Sequence, residues 1–362
     1  MALATDTLKA GLLGYGYAGA TFHAPLIRAV PGLDPTHFAS RQPDAIRADF
    51  PDAAIHDDPA AVLGDPSVDL VVVATPNATH FPLAQAALRA GKSVVVDKPF
   101  TLDLAEARAL IALAEETGGQ LTVFHNRRWD SDFRTVRKAV DAGLVGMPAH
   151  LEIHFDRFRP QVRDRWRESG GPGGGVWFDL GPHLADQALL LMGLPLHVTA
   201  SLALQREGAR SDDWAHVVLG FEGDRRAILH ASMLVAGGVP RFIVHGTAGS
   251  AVKQGMDVQE GQLLAGMAPG APGWGIDPDP LVIYNAEGQA SRVPAEPGDQ
   301  REFYRLVVEA MRGRAPNPVP PIQSLAVMAV IEAAQQSAAE GRTVDLPLTE
   351  AERQAWAASF RD

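Results

Sequence analysis

Three stretches of this chain have the residue types and spacing to do chemistry. The first, Gly14-Tyr15-Gly16-Tyr17-Ala18-Gly19, is a G-x-G-x-x-G turn. In such a turn one glycine makes the bend, the next lets backbone approach a pyrophosphate, and the last lets helix pack on strand. The following helix N-terminus offers N–H donors and a positive dipole end. The alternative is a glycine-rich turn with no ligand, so the motif counts only between a strand and a helix. The second stretch is Asp97-Lys98-Pro99, closing the run SVVV. A lysine there is either solvated or, at the carboxyl end of a parallel strand, placed where ligands bind. The third, from Trp177 to Asp186, holds Asp179 and His183 at i, i+4, with Asp186 at i+7 on the same helical face. Asp179 orienting His183 would make a general acid–base pair. Asp179 as a helix N-cap beside a buried His183 is the alternative. In a helix over Phe178–Met192, Pro182 would fall in the first turn, where proline is tolerated.

Other segments border the same places. A strand over Thr36–Ser40 ends at Ala39-Ser40-Arg41. Proteins that bind NAD usually carry an acid there, about 20 residues past the glycines, for the ribose 2′-OH. Here Ser40 and Arg41 suit a 2′-phosphate instead. NADP(H) is therefore preferred and NAD is the second choice, with Arg41 as a solvated loop charge the alternative. Thr75, Pro76, Asn77 and His80 follow the LVVV run and border a cofactor cleft, or cap the next helix. Arg127 and Arg128, beside Trp129, fit a polar substrate pocket or domain-bridging ion pairs. Two carboxylates and a histidine could hold a metal, but no convincing further ligands exist. His150 and His154 read as ordinary sheet residues, and no catalytic metal is expected.

The elements that position these residues alternate. Lys9–Leu13, Leu70–Ala74, Ser93–Asp97 and Gln120–Phe124 read as strands. Ala18–Val30, Phe81–Ala90 and Leu104–Thr117 read as helices. Continuous Val-rich strands between helices imply a doubly wound α/β parallel sheet. After Asn126 the texture changes. Beyond a helix at Ser131–Ala142, the segments 149–158, 197–205, 215–221, 227–234 and 241–245 have period-2 character and imply a mostly antiparallel open sheet. Late helices are expected over Gln300–Arg312 and Ile322–Glu340. The expected division is residues 1–126 for dinucleotide binding and 127–362 for substrate binding and oligomerisation, with the late helices packing back on the first part.

Bulk properties exclude other classes. The 362 residues are 46% hydrophobic and 21% charged, with net charge -11. Such a surface repels nucleic acid and anionic lipid. There is no cysteine, which removes disulfides, thiolate nucleophiles and cysteine-built metal sites. The opening residues show no basic stretch before a long apolar run, and no apolar run nears the ~20 residues of a membrane span. A cytoplasmic protein is expected, with neither membrane nor nucleic-acid partners.

In order along the chain, G-Y-G-Y-A-G, T-P-N-A-T-H, D-K-P and D-L-G-P-H-L-A-D resemble the glucose-fructose oxidoreductase / inositol dehydrogenase family, Gfo/Idh/MocA. The resemblance covers essentially the whole chain. Phe22–Leu26, Ser40-Arg41 and His125–Phe133 look most like its NADP-dependent scyllo-inositol 2-dehydrogenase group. It implies an N-terminal Rossmann domain and a C-terminal α/β domain whose open sheet makes a subunit interface, hence a homo-oligomer, dimer or tetramer. It makes Lys98 the active-site lysine, His183 the proton acceptor and Asp179 its partner. Arg127, Trp166 and Arg167 would border substrate or nicotinamide. Where the family has Glu-Lys-Pro, this chain has Asp97-Lys98-Pro99, and the shorter acid could shift the lysine. The implied reaction moves a hydride at a CH–OH carbon of a polyol or sugar, scyllo-inositol-like. The alternatives are reduction of another sugar or carbonyl compound on the same fold, and a non-catalytic NADP-sensing regulator.

Overall fold

The two valine runs are adjacent interior strands of a six-stranded sheet in the computed structural model, which describes residues 7–360. Residues 1–6, part of the opening segment read above as lacking a leader, lie outside the described residues. The strands are β1 (Leu8–Leu13), β2 (Leu33–Ala39), β3 (Ala54–His56), β4 (Leu70–Val73), β5 (Ser93–Val96) and β6 (Leu121–Val123). All pairs are parallel, in the order β3-β2-β1-β4-β5-β6. This is the doubly wound arrangement, with its switch in strand order between β1 and β4. Every residue of β4 is buried, because helices cover both faces.

The register sets the site. Leu13 pairs with Ala39 and Val73, Ala39 with His56, Val73 with Val96, and Val96 with Val123. The strands thus end in one row. The next residue of each, Gly14, Ser40, Asp57, Ala74, Asp97 and Phe124, lies along the carboxyl edge, where open α/β sheets bind ligands. The sequence reading ran β2, β4, β5 and β6 one residue into this edge.

The helix after the glycine turn is not uniform. Gly19–His23 is a π-helical turn, and α-helix follows over Ala24–Arg28. Pro25 has no N–H to give to the carbonyl four residues back, and the Ala24 N–H bonds to Gly19 O instead.

The second sheet has nine strands. β7 (Pro148–His154), β8 (His197–Ala203), β9 (Trp214–Gly220), β10 (Arg226–Ser232) and β11 (Phe242–Gly246) match the expected segments. β12 (Gly249–Lys253), β13 (Leu281–Asn285), β14 (Ala290–Val293) and β15 (Val344–Asp345) extend it beyond them. Only the β7–β10 pair is parallel among the described residues. Alternation is clean: Ala215, Val217, Leu219, Ala227, Leu229 and Ala231 point inward and are fully buried. Helices Val176–Met192 and Pro321–Glu340 cover this face, and among the described residues no helix covers the other. Helix Arg301–Met311 buries Phe303, Tyr304 and Val307 with Leu12, Leu26 and Phe38 of the first sheet's core. No described helix is long and apolar enough to cross a membrane.

Candidate active site

Two cavities adjoin along the carboxyl edge. The first, about 370 Å³, is lined by Gly14, Tyr15, Gly16, Tyr17, Ala18, Ser40, Arg41, Thr75, Pro76 and Asp97, all anticipated from sequence, and by Asp57. The second, about 430 Å³, brings together Lys98, Arg127, Trp166, Arg167, Asp179 and His183. Tyr17, Ala18, Asp97, Trp166 and Arg167 line both, so the two are continuous.

The first cavity fits a dinucleotide on its own geometry. Gly14 has φ +97°, and a Cβ there would overlap the Ala74 carbonyl. At Gly19 a side chain would overlap Gly14 O, so that glycine is required by packing. Gly16 differs, because a Cβ there would meet nothing within 4 Å. Its freedom from protein neighbours, on the cavity wall, is what close approach by a pyrophosphate needs. Arg41 is exposed on the cavity wall and makes no ion pair among the described residues.

Gly19, Asn77 and His80 lie off the cavity walls. Asn77 is buried and its Nδ2 donates to Gly173 O at 3.0 Å, tying the turn after β4 to the glycine-rich loop before helix Val176–Met192. His80 is fully buried, with its ring nitrogens 2.8 Å from Pro99 O and 2.9 Å from Thr75 O. Burial lowers its pKa against the pull of Asp97 and these carbonyls. Both residues hold cavity-lining turns from behind.

The reactive groups are arranged differently from the expected pair. Lys98 Nζ donates to the Asp179 backbone O at 2.7 Å and to Oδ1 at 3.2 Å. Arg167 Nε lies 3.4 Å from the same Oδ1. The carboxylate of Asp179 is thus committed to two cations, and it makes no hydrogen bond to His183. Burial alone would raise the Asp179 pKa, but Lys98, Arg167 and Arg157 more than reverse this and hold it well below the carboxylate range. The N-cap alternative fails as well. The helix starts at Val176 with Gly175 as its cap residue, leaving Asp179 inside the first turn. Pro182 consequently lies in the second turn, where it removes the hydrogen bond to the Phe178 carbonyl.

His183 is 5% exposed and stacks on Phe155 at 6.2 Å between centroids. Its Nδ1 is buried with no partner, which leaves Nε2 as the nitrogen available to a ligand. Burial, then Lys98 and Arg127, push its pKa well below the usual value, so it is neutral at neutral pH. Burial also lowers Lys98, but Asp179 and Asp97 pull in the opposite direction. Asp97 is itself fixed. Its Oδ1 accepts the Lys98 N–H at 2.9 Å and lies 3.7 Å from His23 Nε2. Burial would raise its pKa, but His23 and Lys98 bring it down to about 2. The shorter acid is therefore locked to the backbone of the lysine it precedes.

Arg127 is a cavity residue, and its ion pairs stay within residues 127–362 rather than bridging to the first part. It lines the second cavity, and it pairs with Asp130 and Glu260, each at 2.9 Å. Arg128 forms an ion pair with Asp186 at 2.6 Å, which takes Asp186 out of the reactive face. The sequence reading missed Arg157, Arg159, Arg163, Arg165 and Glu260 on the cavity wall. Five arginines within residues 157–167 were the available signal.

A dinucleotide groove opening onto a lysine, a carboxylate and a neutral imidazole defines a nicotinamide-dependent oxidoreductase. Comparison with known proteins agrees. Residues 8–125 match the oxidoreductase family NAD-binding Rossmann fold, and 137–346 match the family's C-terminal alpha/beta domain. The chain belongs to the Gfo/Idh/MocA family. It is 48% identical to the uncharacterized oxidoreductase YdgJ of Escherichia coli, over 94% of this chain and 99% of that protein. It is 36% identical to the scyllo-inositol 2-dehydrogenase (NADP(+)) IolW of Bacillus subtilis, over 94% and 96%. A crystal structure from Klebsiella pneumoniae is similar at TM-score 0.92 and 53% identity, covering 98% of this chain and 99% of that one.

Gly16→Ala tests the cradle. The added methyl meets no protein atom within 4 Å and projects from the wall of the dinucleotide groove. Cofactor Kd should rise roughly tenfold, or ~1.4 kcal/mol, with an unchanged melting temperature. A variant that binds cofactor as wild type does would remove Gly16 from the contact surface.

Proposed function

We propose that this protein is an NADP(H)-dependent oxidoreductase that moves a hydride between nicotinamide and a CH–OH carbon of a cyclic polyol or sugar, with scyllo-inositol the first candidate. The observation that carries this reading is the convergence of Lys98, Asp179 and His183 on a cavity continuous with the dinucleotide groove. Likeness to the Bacillus subtilis enzyme supports the substrate class. The bound nicotinamide supplies the hydride acceptor or donor, and the chain supplies the rest. Lys98, held by Asp179, presents positive charge to the reacting oxygen and stabilises developing alkoxide. His183, kept neutral, accepts the hydroxyl proton at Nε2. The uncovered face of the nine-stranded sheet, with Trp214, Ile228 and Ile243 half-buried, supports assembly of copies through it.

The NADP preference rests on Ser40 and Arg41 and on the lack of an acid at the end of β2. The test is absorbance at the reduced-nicotinamide band, with NADP+ or NAD+ and a panel of inositols, aldoses and sugar acids. NADP+ should be reduced faster. Arg41→Ala should raise the KM for NADP+ by roughly 10- to 100-fold, the loss of one charge-assisted contact, and leave NAD+ nearly unchanged. A wild type that prefers NAD+ would assign the adenosine end to Asp57 rather than Arg41. Tight cofactor binding with no turnover on any sugar would point to a cofactor-sensing protein.

A further inference from the structure

The cavity that holds Lys98 and His183 is crowded with positive charge. Past β7 the backbone stays extended, with Arg157 N bonded to Ser232 O at 2.9 Å and Arg159 N to Met233 O at 2.7 Å. Residues two apart on extended backbone share a side, and both Arg157 and Arg159 line the cavity. Arg163, Arg165 and Arg167 reach it from the following loop. Two of these five are committed. Arg165 Nε donates to Glu168 at 2.6 Å, and Arg167 pairs with Asp179 while stacking over Trp166 at 4.5 Å.

Arg157, Arg159 and Arg163 are not committed. Among the described residues their guanidinium groups make no ion pair and no hydrogen bond. Arg157 packs over the Phe155 ring at 5.0 Å and acts on Asp179 only through space, without an ion-pair contact. Burial, then Arg163 and Arg165, pull the Arg159 pKa down, which reflects like charges held together. The acids on the wall are already engaged: Asp97 with His23, Asp179 with Lys98 and Arg167, and Glu260 with Arg127 and Tyr17. A chain with net charge -11 thus keeps three unpaired guanidinium groups around its reactive lysine. None of the three lines the groove walled by Gly14, Gly16, Ser40 and Arg41, although Tyr17 and Ala18 of the glycine turn line both cavities.

We infer that the substrate carries an anionic oxygen group, a carboxylate or a phosphate, which Arg157, Arg159 and Arg163 hold while its hydroxyl-bearing carbon faces Lys98 and His183. The inference rests on the hydride-transfer reading above and narrows its substrate class from neutral polyols to acidic or phosphorylated ones. Guanidinium forks match both groups, and a neutral polyol would leave them unpaired.

The test is calorimetric titration of the NADP+-loaded protein with matched pairs: gluconate against glucitol, and myo-inositol 1-phosphate against myo-inositol. The charged member of one pair should bind at least tenfold tighter, and which pair responds distinguishes carboxylate from phosphate. Arg159→Gln and Arg163→Gln should each remove roughly tenfold of that preference, without changing neutral-ligand or NADP+ binding. Equal binding within both pairs would overturn the inference. So would a preference that survives both substitutions, or variants that weaken NADP+ instead. Turnover separates the two proposals. Oxidation of neutral polyols with no anion preference would sink this inference alone. Anion binding with no hydride transfer from any compound would sink the dehydrogenase reading and leave the anion site standing.

Discussion

Lys98→Met should lower kcat/KM by roughly 10³-fold while leaving the Kd for NADP+ nearly unchanged. The side chain has no free choice of position. It leaves the carboxyl edge of β5, its amide is held by Asp97 Oδ1 at 2.9 Å, and its ammonium is held by the carbonyl and carboxylate of Asp179. Both charged side chains are only 14% exposed, so the charge acts through a poorly screening medium. Methionine keeps the apolar stem and removes the charge alone. Lys98 does not line the groove next to Ser40 and Arg41, so most cofactor contacts survive. The measurement is single-turnover hydride transfer beside a cofactor titration. A fall below tenfold would move the burden of charge stabilisation to other groups on the wall. Equal losses in both readouts would make Lys98 a cofactor-holding residue rather than a catalytic one.

The first sheet was legible because its signals are local. LVVV and SVVV are continuous apolar runs, and helix Leu104–Thr117 matches its expected bounds because Asp103 caps one end and Gly118, in the left-handed region, the other. What failed was fixed by distant partners. β15 is two residues long and exists because Val344 pairs with Val198, across a large sequence separation. β14 is four residues long and mostly exposed, with its two apolar residues at its ends, so it has no apolar alternation to read. Helix Val176–Met192 starts earlier than its sequence suggests because Asp212 supplies the cap that Gly175 cannot. Trp177 N donates to Asp212 Oδ2 at 2.7 Å, and Val176 N to Asp212 O at 2.7 Å. The site followed the same rule. Helical spacing put Asp179 and His183 on one face, but spacing cannot say which partner a carboxylate takes. A lysine 81 residues away wins because ammonium and guanidinium offset the cost of burying that charge better than a neutral imidazole can.

Asp179→Asn should therefore act through Lys98, and the pH profile should show it. Burial depresses the Lys98 pKa, and Asp179 is the strongest group opposing that shift. Removing the negative charge leaves burial and Arg167 acting with only Asp97 against them, so the Lys98 pKa falls further. The limb of the rate profile that reports Lys98 should move to lower pH, whichever protonation state the rate requires. At neutral pH kcat should drop roughly 10- to 100-fold. Stability should change with a definite sign. The Asp179 pKa is lowered on folding, so its contribution is present above the unfolded carboxylate value and is lost as pH falls through the folded one. The variant should be less stable by about 3 kcal/mol near neutrality, with the gap closing only below about pH 4. Denaturant melts at two pH values measure the second effect, and a kcat profile measures the first. A stability loss with an unmoved pH limb would make Asp179 a structural partner only. A moved limb would fix it as the residue that positions and charges the lysine, and would explain why the carboxylate was left uncommitted to His183.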